Sequence, residues 1–78
     1  MMYQHYERTD FDRVKFKGTY SALGLDQAAR RADCEDGDVL VRQDAQGTAY
    51  LVSTWWDEDA ENEIEYDFRE LTKDEFPY

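Results

Sequence analysis

The segment 63–69, with the sequence EIEYDFR, constrains the fold more than any other part of the chain. Its apolar residues are Ile64, Tyr66 and Phe68, and charged residues occupy every position between and around them. Successive side chains of a β-strand point to opposite faces, so this period of two is typical of a strand buried on one face only. The pattern predicts a strand over Glu63–Arg69 whose second face carries charge.

Three further strand segments are less regular. Val39–Gln43 and Thr48–Trp55 flank the sequence DAQG at 44–47, which predicts a hairpin whose turn is closed by a left-handed Gly47. The second of these strands is apolar on both faces at positions 51 and 52, which predicts that it lies at the centre of the sheet. Residues 11–17 alternate apolar and basic side chains and predict a strand that ends at Gly18. Residues 1–10 have no clear period, and a short edge strand is one interpretation of them.

One helix is predicted over Ser21–Ala32. Its apolar stripe is formed by residues at i, i+3, i+4 and i+7, namely Leu25, Ala28, Ala29 and Ala32. Ser21 is a suitable N-cap, although Gly24 weakens the first turn and makes Leu25 the alternative start. The turn that follows contains Gly37, which tolerates a positive φ.

The last residues predict a capping box, with Thr72 at the N-cap, Glu75 three residues later, and Leu71 and Phe76 as the hydrophobic staple. Together these elements predict an α+β fold in which one helix packs on a three- to four-stranded antiparallel sheet. The length of 78 residues predicts a single domain over 1–78.

The charge of the chain is concentrated in its last third. Residues 57–75 contain ten carboxylates and only two cations, a net charge of −8 out of −10 for the chain. Such a protein is repelled by nucleic acid and by anionic membranes, so neither is an expected partner. No stretch is apolar for the roughly 20 residues of a membrane span, and MMYQHYER resembles no secretory leader. The expected location is the cytoplasm, where a single cysteine is ordinary.

The sequence does not predict a metal, a cofactor or a catalytic site. The acids at 57, 59, 61, 63 and 65 have the spacing of an EF-hand loop, but Asn62 replaces its glycine and Phe68 its last glutamate. Cys34 lies among three acids, which disfavour a thiolate nucleophile. His5 belongs to the segment without a clear period. The protein is therefore not expected to be an enzyme.

The acids following the tryptophan pair predict a surface for a basic partner. A row of like charges costs stability through self-repulsion, and a rigid row of carboxylates can imitate the phosphates of a nucleic acid. If the strand continues through the tryptophans, they face opposite sides, so that one can belong to the core while the other is at least partly exposed. They are then either ordinary packing residues at a strand end, or one of them is an apolar anchor for a partner. The predicted partner-binding residues are Trp55, Trp56, Asp57, Glu58, Asp59, Glu61, Glu63, Glu65 and Asp67.

The same acids are compatible with two simpler roles. The charges could serve only to keep a small aromatic-rich domain soluble. Alternatively, Arg13, Lys15 and Lys17 could lie beside the acidic strand and form cross-strand ion pairs with it.

The segment WWDEDAENEIEYDFRELTKDE, in a chain this short, resembles the small acidic proteins that phages carry against host defence, including anti-CRISPR proteins and DNA mimics that block restriction. The resemblance covers size, charge and the clustering of acids on an α+β scaffold. It implies a stoichiometric inhibitor in the host cytoplasm that occupies the basic nucleic-acid-binding surface of a defence complex, such as a CRISPR surveillance complex. The alternative is another acidic interaction module, such as a toxin immunity protein or a small accessory subunit.

Overall fold

The computed structural model describes residues 1–9, 14–57, 59, 63–72 and 74–75, with the backbone alone at Asp57 and Glu63. The strands form one antiparallel sheet in the order β2-β1-β3-β4-β5. The α+β class and the antiparallel sheet with one helix are confirmed for these residues, but the sheet has five strands instead of three or four. The elements are β1 (Met2–Arg8), β2 (Val14–Ser21), α1 (Leu25–Ala32), β3 (Val39–Arg42), β4 (Ala49–Asp57) and β5 (Glu63–Leu71).

The additional strand is β1, which the sequence left as a possible edge strand. It lies inside the sheet, where Tyr3 pairs with Tyr20 of β2 and with Arg42 of β3. The pairing on both sides explains why Tyr3 is fully buried, with 1% of its surface exposed. The interpretation of this segment as an edge strand was therefore wrong. The sequence could not reveal its position, because both strands that pair with β1 come later in the chain.

Strand β2 does not end at Gly18 as predicted but continues to Ser21. A register shift between His5 and Tyr6 leaves Lys17 as an extra residue, since His5 pairs with Gly18 and Tyr6 with Phe16. This bulge changes the face to which the side chains point without ending the ladder. Residues 11–13 of the predicted strand lie outside the described residues.

Helix α1 crosses over β1. Strands β2 and β3 both pair antiparallel with β1, so they run parallel to each other and need a long connection. The helix begins at Leu25 after Gly24, which makes no side-chain cap bond, whereas Ser21 is the last residue of β2. The N-cap predicted at Ser21 was wrong, because pairing with Met2 holds that residue in the sheet.

The predicted alanine stripe of α1 is confirmed, since Ala28, Ala29 and Ala32 are buried. These alanines form the main core with side chains from one face of the sheet, which we call the helix face. Its fully buried sheet residues are Tyr3, Leu40 and Val52, and the side chains of Tyr66 and Phe68 pack against them.

We expect Ala29→Leu to destabilise the domain by about 1–3 kcal/mol, because a larger side chain overpacks a site where the helix lies close to the sheet. Ala29 has no exposed surface. Urea unfolding measures the change, and Ala45→Leu, in the exposed turn after β3, is the control that should change stability by less than about 0.5 kcal/mol. Equal stability of the two variants would contradict close packing of α1.

The centre of the sheet is β3, not β4 as predicted. Val39 and Val41 face away from the helix and form a second apolar cluster with Ala49, while Leu40 faces the helix core. All three residues of this short run are buried to 3% exposure or less. A continuously apolar run is the pattern of a strand covered on both faces, and β4 lies one position nearer the edge.

The turn chemistry agrees with the sequence. Gly37 and Gly47 have φ values of 93° and 61°, as predicted. At the C-terminal end the capping box is confirmed, because the Thr72 N–H donates to Glu75 Oε1 at 3.1 Å and the Glu75 N–H donates to Thr72 Oγ1 at 3.3 Å. The staple residue Phe76 lies outside the described residues. Within the described ranges, no helix has the length and apolar character needed to cross a membrane.

Candidate functional site

The predicted site lies on the β4–β5 hairpin, whose two strands pair without interruption from Ala49–Leu71 to Asp57–Glu63. Val52 and Phe68 pair on the helix face, so the alternation of each strand places the next residues on the opposite face. We call the part of this opposite face formed by Ser53, Trp55, Glu65 and Asp67 the acidic hairpin face. Trp55 is directly opposite Glu65, and Ser53 is directly opposite Asp67.

Both tryptophans are exposed, Trp55 by 50% and Trp56 by 63%. They point to opposite faces as predicted, but the expectation that one of them belongs to the core was wrong. Helix α1 has eight residues and a length of about 12 Å, and it packs on β2, β3 and β5. Trp56 lies on the helix face of the sheet. The short helix does not extend over it, so its side chain is exposed. A tryptophan that only fills a core is seldom this exposed, whereas exposed tryptophans are common at binding sites.

The carboxylates of Glu65 and Asp67 form no hydrogen bond or ion pair with any residue of the described ranges. Asp67 is exposed and Glu65 is partly exposed. Because they are two positions apart on one strand, their Cα atoms are separated by roughly 6.6 Å. Glu65 also contributes to the raised pKa of Arg30, for which the hydrogen bond to Asp26 is the main cause.

The other predicted site residues are only partly placed. Asp59 is exposed in the connection between β4 and β5, and Asp57 pairs with Glu63 in the backbone ladder. Glu58 and Glu61 lie outside the described residues, and so do the side chains of Asp57 and Glu63. The structure thus brings Trp55, Glu65 and Asp67 together on one face.

The lysines of β2 do not neutralise the acids of β5. Strand β2, which carries the exposed Lys15 and Lys17, is at the opposite edge of the sheet from β5. Four spacings of about 4.8 Å put the two strands about 19 Å apart, which exceeds the screening length of about 8 Å at physiological salt. Lys17 instead pairs with Glu7 at 3.5 Å. For Lys15 and Lys17 the predicted pairing with the acidic strand is therefore wrong, and Arg13 lies outside the described residues.

A second cluster of chemically active side chains was missed by the sequence analysis. His5 on β1, Cys34 after α1 and Asp38 before β3 are all buried, with exposures of 5%, 4% and 3%. One imidazole nitrogen, the Cys34 Sγ and one Asp38 carboxylate oxygen lie within 4.8 Å of one another. His5 Nε2 is 2.8 Å from Asp38 Oδ2. His5, from the segment without a clear period, is therefore a buried residue of β1.

The sequence expectation that Cys34 is a poor nucleophile agrees with the structure, although the principal cause differs. Burial, followed by the charges of Asp38 and Asp33, raises the pKa of the Cys34 thiol to about 12. The sequence pointed only to the neighbouring acids, because burial of a cysteine between a helix and a sheet is not visible in a local pattern.

We expect native Cys34 to resist alkylation by iodoacetamide at neutral pH. A rise of the pKa from 9.0 to about 12 lowers the thiolate fraction about 1,000-fold, tenfold for each pKa unit. The measurement is the rate of mass increase in the native protein, with the urea-unfolded protein as the control. Comparable rates in the two states would show that the thiol is accessible and ionisable.

Comparison with known proteins gives no match, since no protein-family model, no curated protein and no solved structure matches this chain.

Proposed function

We propose that this protein is a stoichiometric inhibitor that binds the basic nucleic-acid-binding surface of another protein through the acidic hairpin face. The target would be a host defence complex of the CRISPR surveillance type in the bacterial cytoplasm, and binding would exclude its target DNA. The protein itself would carry no enzymatic activity and would bind neither nucleic acid nor membrane.

The observation that carries the proposal is a pair of carboxylates with no ion pair to any described residue, beside an exposed tryptophan on a hairpin paired from Ala49–Leu71 to Asp57–Glu63. Glu65 and Asp67 have no ion-pair partner among the described residues, and the lysines of β2 are at the far edge of the sheet. A paired strand holds its side chains at fixed spacing, so little order has to be imposed when a basic groove binds. Clustered carboxylates without an ion pair cost the fold stability through mutual repulsion, and binding of a basic partner would explain this cost.

Trp55 gives the surface an apolar contact that phosphates lack. It is half exposed and lies directly opposite Glu65, so a basic side chain that pairs with Glu65 could also stack on the indole. A cation held between a carboxylate and a ring is bound more tightly than by a surface ion pair alone, which is worth only about 0–1 kcal/mol. The tryptophan therefore supports recognition of lysine or arginine in a groove.

The experiment captures partners from a nuclease-treated bacterial lysate on the immobilised protein at low salt and elutes them with duplex DNA at constant ionic strength. The expected result is release of a DNA-binding complex by DNA, because the two ligands compete for one basic surface. The purified partner should then lose its DNA in a mobility-shift assay when one equivalent of this protein is added.

The alternative outcomes separate this proposal from the other acidic interaction modules. A partner released by salt but not by DNA would be bound at another surface, as for a toxin immunity protein. A ternary complex with DNA in the mobility-shift assay would overturn the inhibitor proposal, even if the partner itself is basic.

A further inference from the structure

The buried cluster of His5, Cys34 and Asp38 is separate from the acidic hairpin face. His5 pairs with Gly18 and Leu40, which place its side chain on the helix face of the sheet, whereas Glu65 and Asp67 point to the opposite face. Cys34 and Asp38 come from the loop that connects α1 to β3. The two residues are four apart in the chain, and His5 reaches them from the neighbouring strand.

The loop that carries two members of the cluster is tightly held. The Cys34 N–H donates to the Ala29 carbonyl at 3.0 Å, and the Gly37 N–H donates to the Val52 carbonyl at 2.8 Å. The Asp38 carboxylate accepts the Glu35 N–H at 2.9 Å in addition to the His5 ring. The backbone of the loop and the Asp38 carboxylate are therefore held in place before any ligand binds, which favours a metal site.

The hydrogen bonds of the cluster are incomplete at one atom. His5 Nε2 donates to the Asp38 carboxylate, but Nδ1 is buried and has no hydrogen-bond partner among the residues that the structure describes. In a neutral imidazole Nδ1 then carries an unused lone pair, and in an imidazolium it carries an unused N–H. Unsatisfied buried atoms are exceptional in folded proteins, and in the neutral ring Nδ1 can carry the proton in place of Nε2 when Nε2 binds a cation.

We propose that His5, Cys34 and Asp38 form a binding site for one divalent cation of the zinc type. The ligand set of one imidazole, one thiolate and one carboxylate favours zinc or cobalt over calcium and magnesium, which prefer oxygen ligands. A divalent cation also balances the two negative charges that a thiolate and a carboxylate bring into a buried site. The cation takes the place of two protons: the thiol proton is released to solvent, and the Nε2 proton is exchanged for one on Nδ1, so that the lone pair of Nε2 can bind the cation.

The distances between the three ligand atoms fit a zinc site if the cluster contracts slightly. Zinc binds these ligand atoms at about 2.0–2.3 Å, so tetrahedral ligands lie about 3.3–3.8 Å from one another. The three atoms of the cluster now lie within 4.8 Å of one another. The hydrogen-bonded His5–Asp38 contact would lengthen slightly, and Cys34 would approach by up to about 1 Å. The fourth position, which the described residues do not supply, would hold a water molecule.

The experiment titrates Zn²⁺ into the reduced protein after treatment with a chelator. We expect one equivalent to bind, the thermal unfolding midpoint to rise, and both effects to be reversed by excess chelator, because the cation joins β1 to the α1–β3 loop only in the folded state. Substitution with Co²⁺ should give a thiolate-to-metal charge-transfer band, which an adventitious site on surface carboxylates cannot produce.

Cys34→Ser tests the thiolate, and Glu35→Gln is the matched control, since it removes an exposed acid from the same loop. We expect the serine variant to bind Zn²⁺ at least about tenfold more weakly and the glutamine variant to bind it as before. Absence of stoichiometric binding, retention of full affinity in Cys34→Ser, or a Co²⁺ spectrum without the charge-transfer band would overturn the site. The cobalt spectrum needs no variant, so the proposal stays testable if Cys34→Ser does not fold.

Discussion

Asp38→Ala is expected to destabilise the protein by about 3–5 kcal/mol, measured by urea unfolding in the presence of a chelator. The Asp38 carboxylate is 3% exposed, holds His5 Nε2 at 2.8 Å, and accepts the N–H groups of Glu35 and Arg8 at 2.9 and 3.4 Å. Removing it leaves a buried ring nitrogen and a loop N–H without partners. A chain of this length has a total stability of about 4–12 kcal/mol, so the loss would be a large fraction of the total.

The control is Glu35→Ala, which removes an exposed carboxylate three residues away and should change stability by less than about 0.5 kcal/mol. His5→Gln should be less harmful than Asp38→Ala, because the amide can still donate to the carboxylate. A loss below about 1 kcal/mol for Asp38→Ala would show that the His5–Asp38 contact is no stronger than a surface pair.

Reversal of both carboxylates on the acidic hairpin face, Glu65→Lys with Asp67→Lys, is expected to abolish capture of the DNA-releasable partner, with a loss of at least about 100-fold in affinity. The change replaces two attractions with two repulsions at the centre of the proposed surface. The new lysines lie opposite Trp55 and Ser53. Neither of the two substituted positions is buried, so the fold should be retained.

The matched control carries the same change in charge at a different place. Glu70 is exposed on the same strand but on the helix face, and Glu35 is exposed on the α1–β3 loop. Glu35→Lys with Glu70→Lys should weaken capture only through the lower net charge, by a factor of a few at physiological salt. If both double variants bind equally well, the acids act through net charge alone, and the hairpin face is not the binding surface.

The elements that could be predicted from the sequence are those whose pattern is complete within one segment. Strand β5 alternates aromatic and charged residues, and α1 has alanines at helical spacing, so both were found. Strand β1 was interpreted only as a short edge strand because its buried face combines Tyr3 with His5, and a histidine does not count as apolar. Its burial depends on Asp38, 33 residues later, and no local pattern contains that pairing.

The features of the candidate site also fall into two groups, those set by a local pattern and those set by the tertiary fold. The opposite orientations of Trp55 and Trp56 follow from strand alternation, whereas the exposure of both depends on where the short helix ends. The separation of the lysines from the acidic strand depends on strand order, which the crossover of α1 decides. The cluster of His5, Cys34 and Asp38 joins three elements, and only the presence of one histidine and one cysteine in a small chain could have drawn attention to it.

Lys15 and Lys17 at the β2 edge and Glu65 and Asp67 at the β5 edge make the two edges of the sheet different in charge. In the field of a strongly basic partner such a molecule experiences a torque and turns its β5 edge forward before the two surfaces touch. Productive encounters then become more frequent without any new contact, and the association rate constant should respond to ionic strength more steeply than the dissociation rate constant. The order of the strands thereby influences how quickly a complex forms as well as how firmly it holds.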